Sequence, residues 1–465
     1  MSLDFLQRTP EFKRLLQDIS EGRKPLRVTG LTESAKPYFL ACLAQNIHYP
    51  IVVIQPHSRP LPRFEDQCRF YFSQFSLSFG LETLLPLAVN PYQNVYPSLD
   101  AVASRMKVFR RLMGSPRAPF LLITNLFGLL KPFPSPGDLK AAFQELEEGA
   151  RYERDRFLEL LRDFGYVRED IIASPGEFAW RGGVVDVFSP WSKFPYRIEF
   201  RGDAVASLRE FDASTQRSVA RVSRILVPSL REFSASADFV DGWEKLALKK
   251  GRFSSQELKE KIEALRRGEF FPGFTFLSLL HAERFVLFTH YLGDALYIID
   301  EPDQVEKEWN ESVQDLRQQH AGLRENKVFC LSPDEIFPLD SWDQVKQKAV
   351  FLESFSSAQE DRSFSFPFQS VPRFENRIPF FLKYLRKMQR AREYCAVYLS
   401  NSAVREKLAG LLSQSRIRSR LESSSLAPAK PGEVLLLVGR LERGFSYPPE
   451  RISTFAERDI FTEEK

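Results

Sequence analysis

The chain has 465 residues and a mass of 53.8 kDa, room for three or four domains at roughly 100–200 residues each. Its 65 Lys and Arg against 61 Asp and Glu leave a net charge of +4, which excludes a polybasic nucleic-acid coat but not a local basic patch. With 43% hydrophobic residues it can bury ample core, yet no apolar run approaches the roughly 18 residues of a membrane span, and Met1-Ser2-Leu3-Asp4-Phe5 lacks the apolar stretch of a signal peptide.

In chain order, Leu26-Arg27-Val28-Thr29-Gly30 reads as a strand entering a glycine turn. Ala35 to Gln45 has helical spacing, with Tyr38, Phe39, Cys42 and Leu43 on one side. Ile51-Val52-Val53-Ile54 is the continuous apolar run of a strand buried on both faces. A helix over Ser104 to Met113 and a strand over Pro119 to Thr124 continue an alternation that predicts an open parallel α/β sheet. The breaker cluster Lys131 to Gly137 predicts a boundary.

After it come a helix over Asp155 to Phe164 and short strands at Gly176–Ala179, Gly182–Phe188, Tyr196–Phe200 and Ala206–Phe211. They predict a small α+β unit on an antiparallel sheet, ending near Val227-Pro228. From about 230 to 350 the α/β pattern returns, with strands at Phe285–Phe288 and Leu296–Ile299 and a charged helix over Glu306 to Arg324. Residues 354–370, rich in Ser and Phe, read as a linker. The last part, 371–465, has a helix over Phe380 to Glu393 and strands at Ala396–Leu399 and Val434–Val438, another small α/β unit.

Gly30-Leu31-Thr32-Glu33-Ser34-Ala35-Lys36-Pro37 stands where a phosphate-binding loop would, after a strand and opening a helix. A working loop needs a second glycine before its lysine and a hydroxyl after it. Here Ala35 and Pro37 occupy those places, and proline supplies neither hydroxyl nor N–H. Asp300-Glu301 closes the strand Leu296–Ile299 as a metal-binding carboxylate motif would. Together Gly30, Lys36, Asp300 and Glu301 read as a vestigial nucleotide site, with no ATP or Mg²⁺ cofactor expected for this chain.

Along Tyr196 to Arg201, period-2 alternation puts Tyr196, Ile198 and Phe200 on one face and Arg197, Glu199 and Arg201 on the other. Arg181 sits at a Gly-rich strand start, where a side chain can be presented outward. Arginines on a small sheet face suit either protein docking or an ordinary solvated surface. Arg105, Lys107, Arg110 and Arg111 form a basic helical cluster, to be weighed between phosphate contact and a solvated face. Cys42, Cys68, Cys330 and Cys395 are scattered without a CxxC, and the five histidines show no metal-binding spacing. A catalytic pairing such as His290 with Cys330 finds no support in spacing, and no catalytic or metal residue is assigned.

The strings Gly176-Glu177-Phe178 through Phe188, Pro195-Tyr196-Arg197-Ile198-Glu199-Phe200 and Phe211-Asp212-Ala213-Ser214-Thr215-Gln216-Arg217-Ser218 occur in an order that resembles the UvrB-interaction module. That module is shared by the excision-repair protein UvrB and the bacterial transcription-repair coupling factor. The loop at 30–37 and Ile298-Ile299-Asp300-Glu301-Pro302 fall where UvrB has its functional nucleotide motifs. No long insertion lies between Tyr92 and Arg105, so the DNA-clamping hairpin of UvrB is missing, as in the coupling factor. Gly439 to Phe445 and Ile452 to Phe461 resemble the end of that family's third structural domain.

The resemblance implies an α/β fold: a degenerate, helicase-like parallel-sheet domain split by a small α+β UvrA-binding insertion, then a further small α/β domain. Its expected parts are 1–130 and 230–353 for the two halves, 131–229 for the insertion, 354–370 for a linker and 371–465 for the last domain. It implies UvrA binding through Arg181 and Arg197, with Arg201 standing where the family has an aromatic contact. For the full-length family protein it implies RNA polymerase and double-stranded DNA as further partners, ATP-driven translocation by motor domains beyond this segment, and a bacterial cytoplasm. A non-catalytic, monomeric scaffold without membrane contact is expected here. The alternative is an ATP-dependent DNA helicase or damage-binding subunit resembling UvrB.

Overall fold

The computed structural model describes residues 3–87, 90–93, 95–114, 119–232, 236–250, 255–326, 328–354, 362–423 and 430–462. The central sheet has seven strands in the order 363–365, 26–29, 349–353, 296–300, 51–54, 120–124 and 80–83. Every pairing in it is parallel. The alternation of side chains across the strands divides the interior in two. Val52, Ile54, Leu122, Tyr297 and Ile299 face one core, which is completed by the helices Leu99–Gly114, Ala237–Lys250 and Pro302–Glu325. Ile51, Val53, Leu121, Ile123 and Ile298 face the other, completed by the helices Pro10–Ser20, Lys36–Ala44 and Leu61–Gln74. Burial on both faces is why these strands read as unbroken apolar runs.

A six-stranded sheet, in the order 218–221, 204–211, 196–201, 184–187, 177–181 and 167–168, is inserted between the halves of the first. It is antiparallel except for its last pair. Its inner face packs Phe178, Val185, Ile198 and Leu208 against Phe157 and Leu161 of the helix Arg154–Asp163. A two-stranded ribbon, Phe143–Glu147 with Arg224–Pro228, carries the chain into and out of this module. The third sheet, also six-stranded, runs 369–370, 445–447, 452–456, 394–399, 434–438 and 419–421. Tyr398, Leu435, Leu437 and Phe445 on one of its faces join the second core of the central sheet.

Two expectations change. The run Phe285–Phe288 is not a strand of the main sheet: among the described residues Phe285–Val286 pairs only with Phe133–Pro134, and Thr289–Leu292 turns helical. A four-residue apolar run fits a buried helix as well as a strand, and length alone does not separate them. The segment 354–370 connects two sheets but does so as paired chain. Ser363–Ser365 extends the central sheet and Gln369–Ser370 extends the third, while residues 355–361 lie outside the described ones. Phenylalanine is abundant, at 42 of 465 residues, and part of it has a clear location. Phe5, Tyr38, Phe368, Phe445 and Tyr447 form a seam between the central and third sheets, with ring centroids 4.7–6.3 Å apart.

Candidate functional sites: a caged lysine and an arginine-bearing sheet face

The strand Leu26–Thr29 ends at Gly30, whose φ is +78°. A Cβ there would lie 2.5 Å from the Phe366 carbonyl oxygen, so only glycine fits. The Thr32 carbonyl accepts the N–H groups of Ala35 at 2.9 Å and Lys36 at 3.1 Å. Two amides that a phosphate loop would present are thereby used internally, and Pro37 has none to offer. The Ser34 hydroxyl donates to the Gly444 carbonyl at 2.9 Å, tying the loop to the third sheet's domain.

Lys36 is fully buried, and its ammonium meets three carboxylates: Glu33 at 2.6 Å, Asp300 at 2.7 Å and Glu301 at 2.8 Å. Asp300, also fully buried at the end of its strand, takes Arg59 at 3.0 Å and the Gln55 amide at 3.2 Å. Arg59 closes the ring by pairing with Glu33. Glu301 adopts a left-handed backbone, φ +53°, and its carboxylate also accepts from the Ser354 hydroxyl and N–H.

Burial works against the Lys36 charge, but Asp300 and Glu33 outweigh it and hold its pKa above the usual lysine value. Burial pushes the Asp300 carboxyl up against the pull of Lys36 and Arg59. Burial also opposes the Glu301 charge, but hydrogen bonds from Lys36 and Ser354 prevail and hold its pKa below the usual carboxylate range. The structure thus brings Gly30, Lys36, Asp300 and Glu301 together, and adds Glu33, Arg59 and Ser354. A cleft of about 670 Å³ lies beside the cage, lined by Thr32, Glu33, Arg59, Arg63, Arg443 and Asp459 among others.

In the inserted module, Arg181 ends the strand Glu177–Arg181 and sits opposite Val184 across the Gly182-Gly183 turn. Gly183 is obligatory, because a Cβ would come within 2.7 Å of the Phe200 carbonyl oxygen. Arg181 is exposed, its guanidinium touching only the Asp170 carbonyl at 3.3 Å among the described residues. Arg201 ends the strand Tyr196–Arg201 and is exposed, with no side-chain partner among the described residues. Both share the outer face with Arg197, as the alternation requires.

Arg197 is differently placed. It lies directly opposite Asp186 in register and forms a two-pronged pair with it at 2.8 and 2.7 Å. It also donates to Gln216 at 3.1 Å and stacks 4.3 Å from the Phe211 ring. The Asp186 hydrogen bonds hold its pKa above the usual arginine value. The Phe211–Ser218 string builds this seat. Phe211 is the floor, and the Asp212 carboxylate accepts the N–H groups of Ser214 and Thr215 at 3.0 and 2.8 Å. Gln216, at φ +59°, turns back to the arginine. Sequence reasoning missed Asp186, although its position opposite Arg197 is one strand pairing away.

The basic cluster at 105–111 does not form one surface. Arg105 is fully buried and pairs with Glu232, which also takes Lys131 at 2.6 Å. Arg111 covers the Phe120 ring at 5.1 Å, and Lys107 faces Glu82 at 3.6 Å. A helix carrying Ala101, Val102, Met106 and Phe109 into the core turns Arg105 inward with them.

The parallel sheet and its inserted module together form a mixed α/β protein, an arrangement consistent with a UvrB-like fold. Residues 145–233 match the family described as the UvrB interaction domain. Along 98% of its length the chain is similar to the transcription-repair-coupling factor of Bacillus subtilis, at 22% identity over 40% of that protein. It is similar along 97% of its length to that of Myxococcus xanthus, at 24% identity over 40% of that protein. About half of it, 48%, is 28% identical to 19% of the Escherichia coli protein of the same name. The chain therefore carries a UvrB interaction domain and is similar to the N-terminal region of transcription-repair-coupling factors. It spans about two fifths of the length of the first two of these relatives.

Proposed function

We propose that this chain is a recruiting scaffold for transcription-coupled excision repair, which captures UvrA through the outer face of its inserted sheet. The observation that carries the reading is the UvrB interaction domain match, laid over a sheet face whose exposed ends are Arg181 and Arg201. Arg197 acts beneath them. Paired with Asp186 and stacked on Phe211, it fixes the sheet's outer surface while keeping one edge open to a partner. The exposed guanidinium forks are suited to carboxylates on UvrA. In the full-length relatives' setting, RNA polymerase and double-stranded DNA would be further partners in a bacterial cytoplasm.

The chain does so without hydrolysing ATP. The cage holds two cations against three carboxylates, so a nucleotide phosphate would meet net negative charge and a lysine already engaged. This speaks against an ATP-dependent damage-binding subunit. The test is capture of UvrA from purified components by the chain and by Arg181→Glu, Arg201→Glu and the double variant. Each single change is expected to weaken capture about tenfold or more without moving the melting temperature. Undiminished capture by the double variant would overturn the reading.

A further inference from the structure

The near-neutral whole hides a divided charge. Residues 371–465 carry 18 Lys and Arg against 11 Asp and Glu, a net +7, and the preceding 370 residues carry −3. Much of the excess is on one helix. Ile378–Arg390 bears Lys383, Arg386, Lys387 and Arg390 and no acid. All four are exposed and, among the described residues, none is paired with a carboxylate; Arg386 reaches only the Ser415 carbonyl, at 3.2 Å. At 1.5 Å rise per residue the row is about 10 Å long. Cations in a helix's last turn complement its dipole, which accounts for Lys387 and Arg390 but not for Lys383.

A second feature coincides with it. Phe380, one turn before Lys383, is 63% exposed, although Phe381, Leu385 and Met388 bury the opposite side of the same helix. The four cations together with Phe374, Phe380 and Tyr384 line an open groove of about 680 Å³, and no lining residue is acidic. Because the apolar side of the helix is packed into its own domain, the helix is not free to lie in a membrane surface. A protein-docking patch centres on apolar surface that becomes fully buried, whereas Phe380 is the one large exposed apolar side chain on the described part of this helix. Unpaired cations in a line beside an exposed aromatic ring instead match a charged backbone that also offers stackable bases.

We propose that the groove along Ile378–Arg390 binds single-stranded nucleic acid, the four cations holding phosphates and Phe380 stacking on a base. The proposal does not depend on UvrA capture. The experiment is fluorescence anisotropy of the full chain with a labelled oligothymidine of about twelve nucleotides and with a duplex of equal length, from about 50 to 200 mM salt. Four phosphate contacts predict a log–log salt slope of about −2.8 on the single strand.

Replacing all four cations by glutamine should weaken binding about tenfold or more and flatten that slope. The milder Lys383→Gln, Lys387→Gln pair should flatten it by about half and serves if the fourfold variant misfolds. Phe380→Ala should weaken single-strand binding about fivefold while leaving the slope unchanged. Tighter binding to the duplex, an unchanged slope in the charge variants or an inert Phe380→Ala would each overturn the proposal. So would a loss of UvrA capture, rather than of oligonucleotide binding, on removing the four charges.

Discussion

At the scale of single residues, the instructive pair is Lys36 and Arg197, because each is a cation whose obvious external partner has been replaced by an internal one. Removing one member of a buried ionic cluster strands the others, at a cost of about 3–5 kcal/mol. Lys36→Ala should therefore destabilise the chain by about that much in urea titration, since Asp300 and Glu301 would be left facing each other. A lysine kept for nucleotide would give no such loss, and its absence would instead be felt in ATP binding. Adding millimolar ATP and Mg²⁺ to the chain should leave the melting temperature unchanged, whereas nucleotide at 100 times its Kd would contribute about 2.7 kcal/mol. For Arg197, glutamine and glutamate should differ. Arg197→Gln loses the two-pronged pair but stays neutral beside Asp186, whereas Arg197→Glu sets two carboxylates directly opposite one another. The glutamate variant should melt lower than the glutamine variant, and a loss of UvrA capture that follows the melting temperature would mark Arg197 as a positioning residue, whereas equal loss in both would mark a direct contact.

At the scale of elements, the entry and exit of the inserted module are fastened by one buried triad. Lys131 precedes the module, Glu232 follows it, and Arg105 on the helix Leu99–Gly114 meets Glu232 from the body. Burial disfavours the Glu232 charge, yet Arg105 and Lys131 bring its pKa from 4.5 to about 2. A carboxylate lowered on folding stabilises the fold above its unfolded pKa, so the contribution is complete above about pH 4.5 and disappears as the pH falls through about 2. The gap corresponds to about 3 kcal/mol, and Glu232 is buried, so solvent screens little of it. Burial pushes the Lys131 pKa down, opposed by the charge of Glu232. Glu232→Gln should lower stability at neutral pH and flatten the acid limb between about pH 4.5 and 2, as followed by circular dichroism.

Elements also show what the sequence could and could not display. Ile51–Ile54, Phe120–Thr124 and Leu296–Asp300 are legible because double-sided burial leaves an unbroken apolar run, polar only at the terminal Thr124 and Asp300. Gly80–Thr83 is not, for it lies at the edge of the sheet with Glu82 half-exposed. Lys36, Asp300 and Glu301 of the cage could be named from strand–loop–helix order. Arg59 and Ser354 could not, because nothing in their own neighbourhoods marks them, and only the parallel pairing of distant strands brings them near. The misreading of Arg105 has the same origin: a run of basic residues says nothing about which of them faces inward.

At the scale of the whole molecule, the aromatic seam makes the third sheet's domain part of the body. Phe445 is fully buried and lies 5.1 Å from both Tyr38 and Phe368. Truncating such a ring typically costs about 3–5 kcal/mol. Phe445→Ala should thus split one calorimetric transition into two, the 371–465 unit melting apart from the central sheet. A single undivided transition, shifted or not, would show that the seam contributes little to their coupling. The divided charge also belongs to this scale, since a separation of +7 from −3 gives the molecule a basic end that a net +4 conceals.

The triad has one more consequence. Ser229 donates its N–H to the Ala142 carbonyl at 2.8 Å, so the chain leaves for the module and returns from it at a single point. Seen from the body, some ninety residues enter and leave through a junction no wider than a hairpin, braced by Trp191, whose ring N–H donates to the Ala103 carbonyl at 2.9 Å. Such a unit is a cassette. Exchanged for the equivalent piece of another protein, it is expected to leave the register of the strands beneath it unchanged once the Trp191 contact is kept.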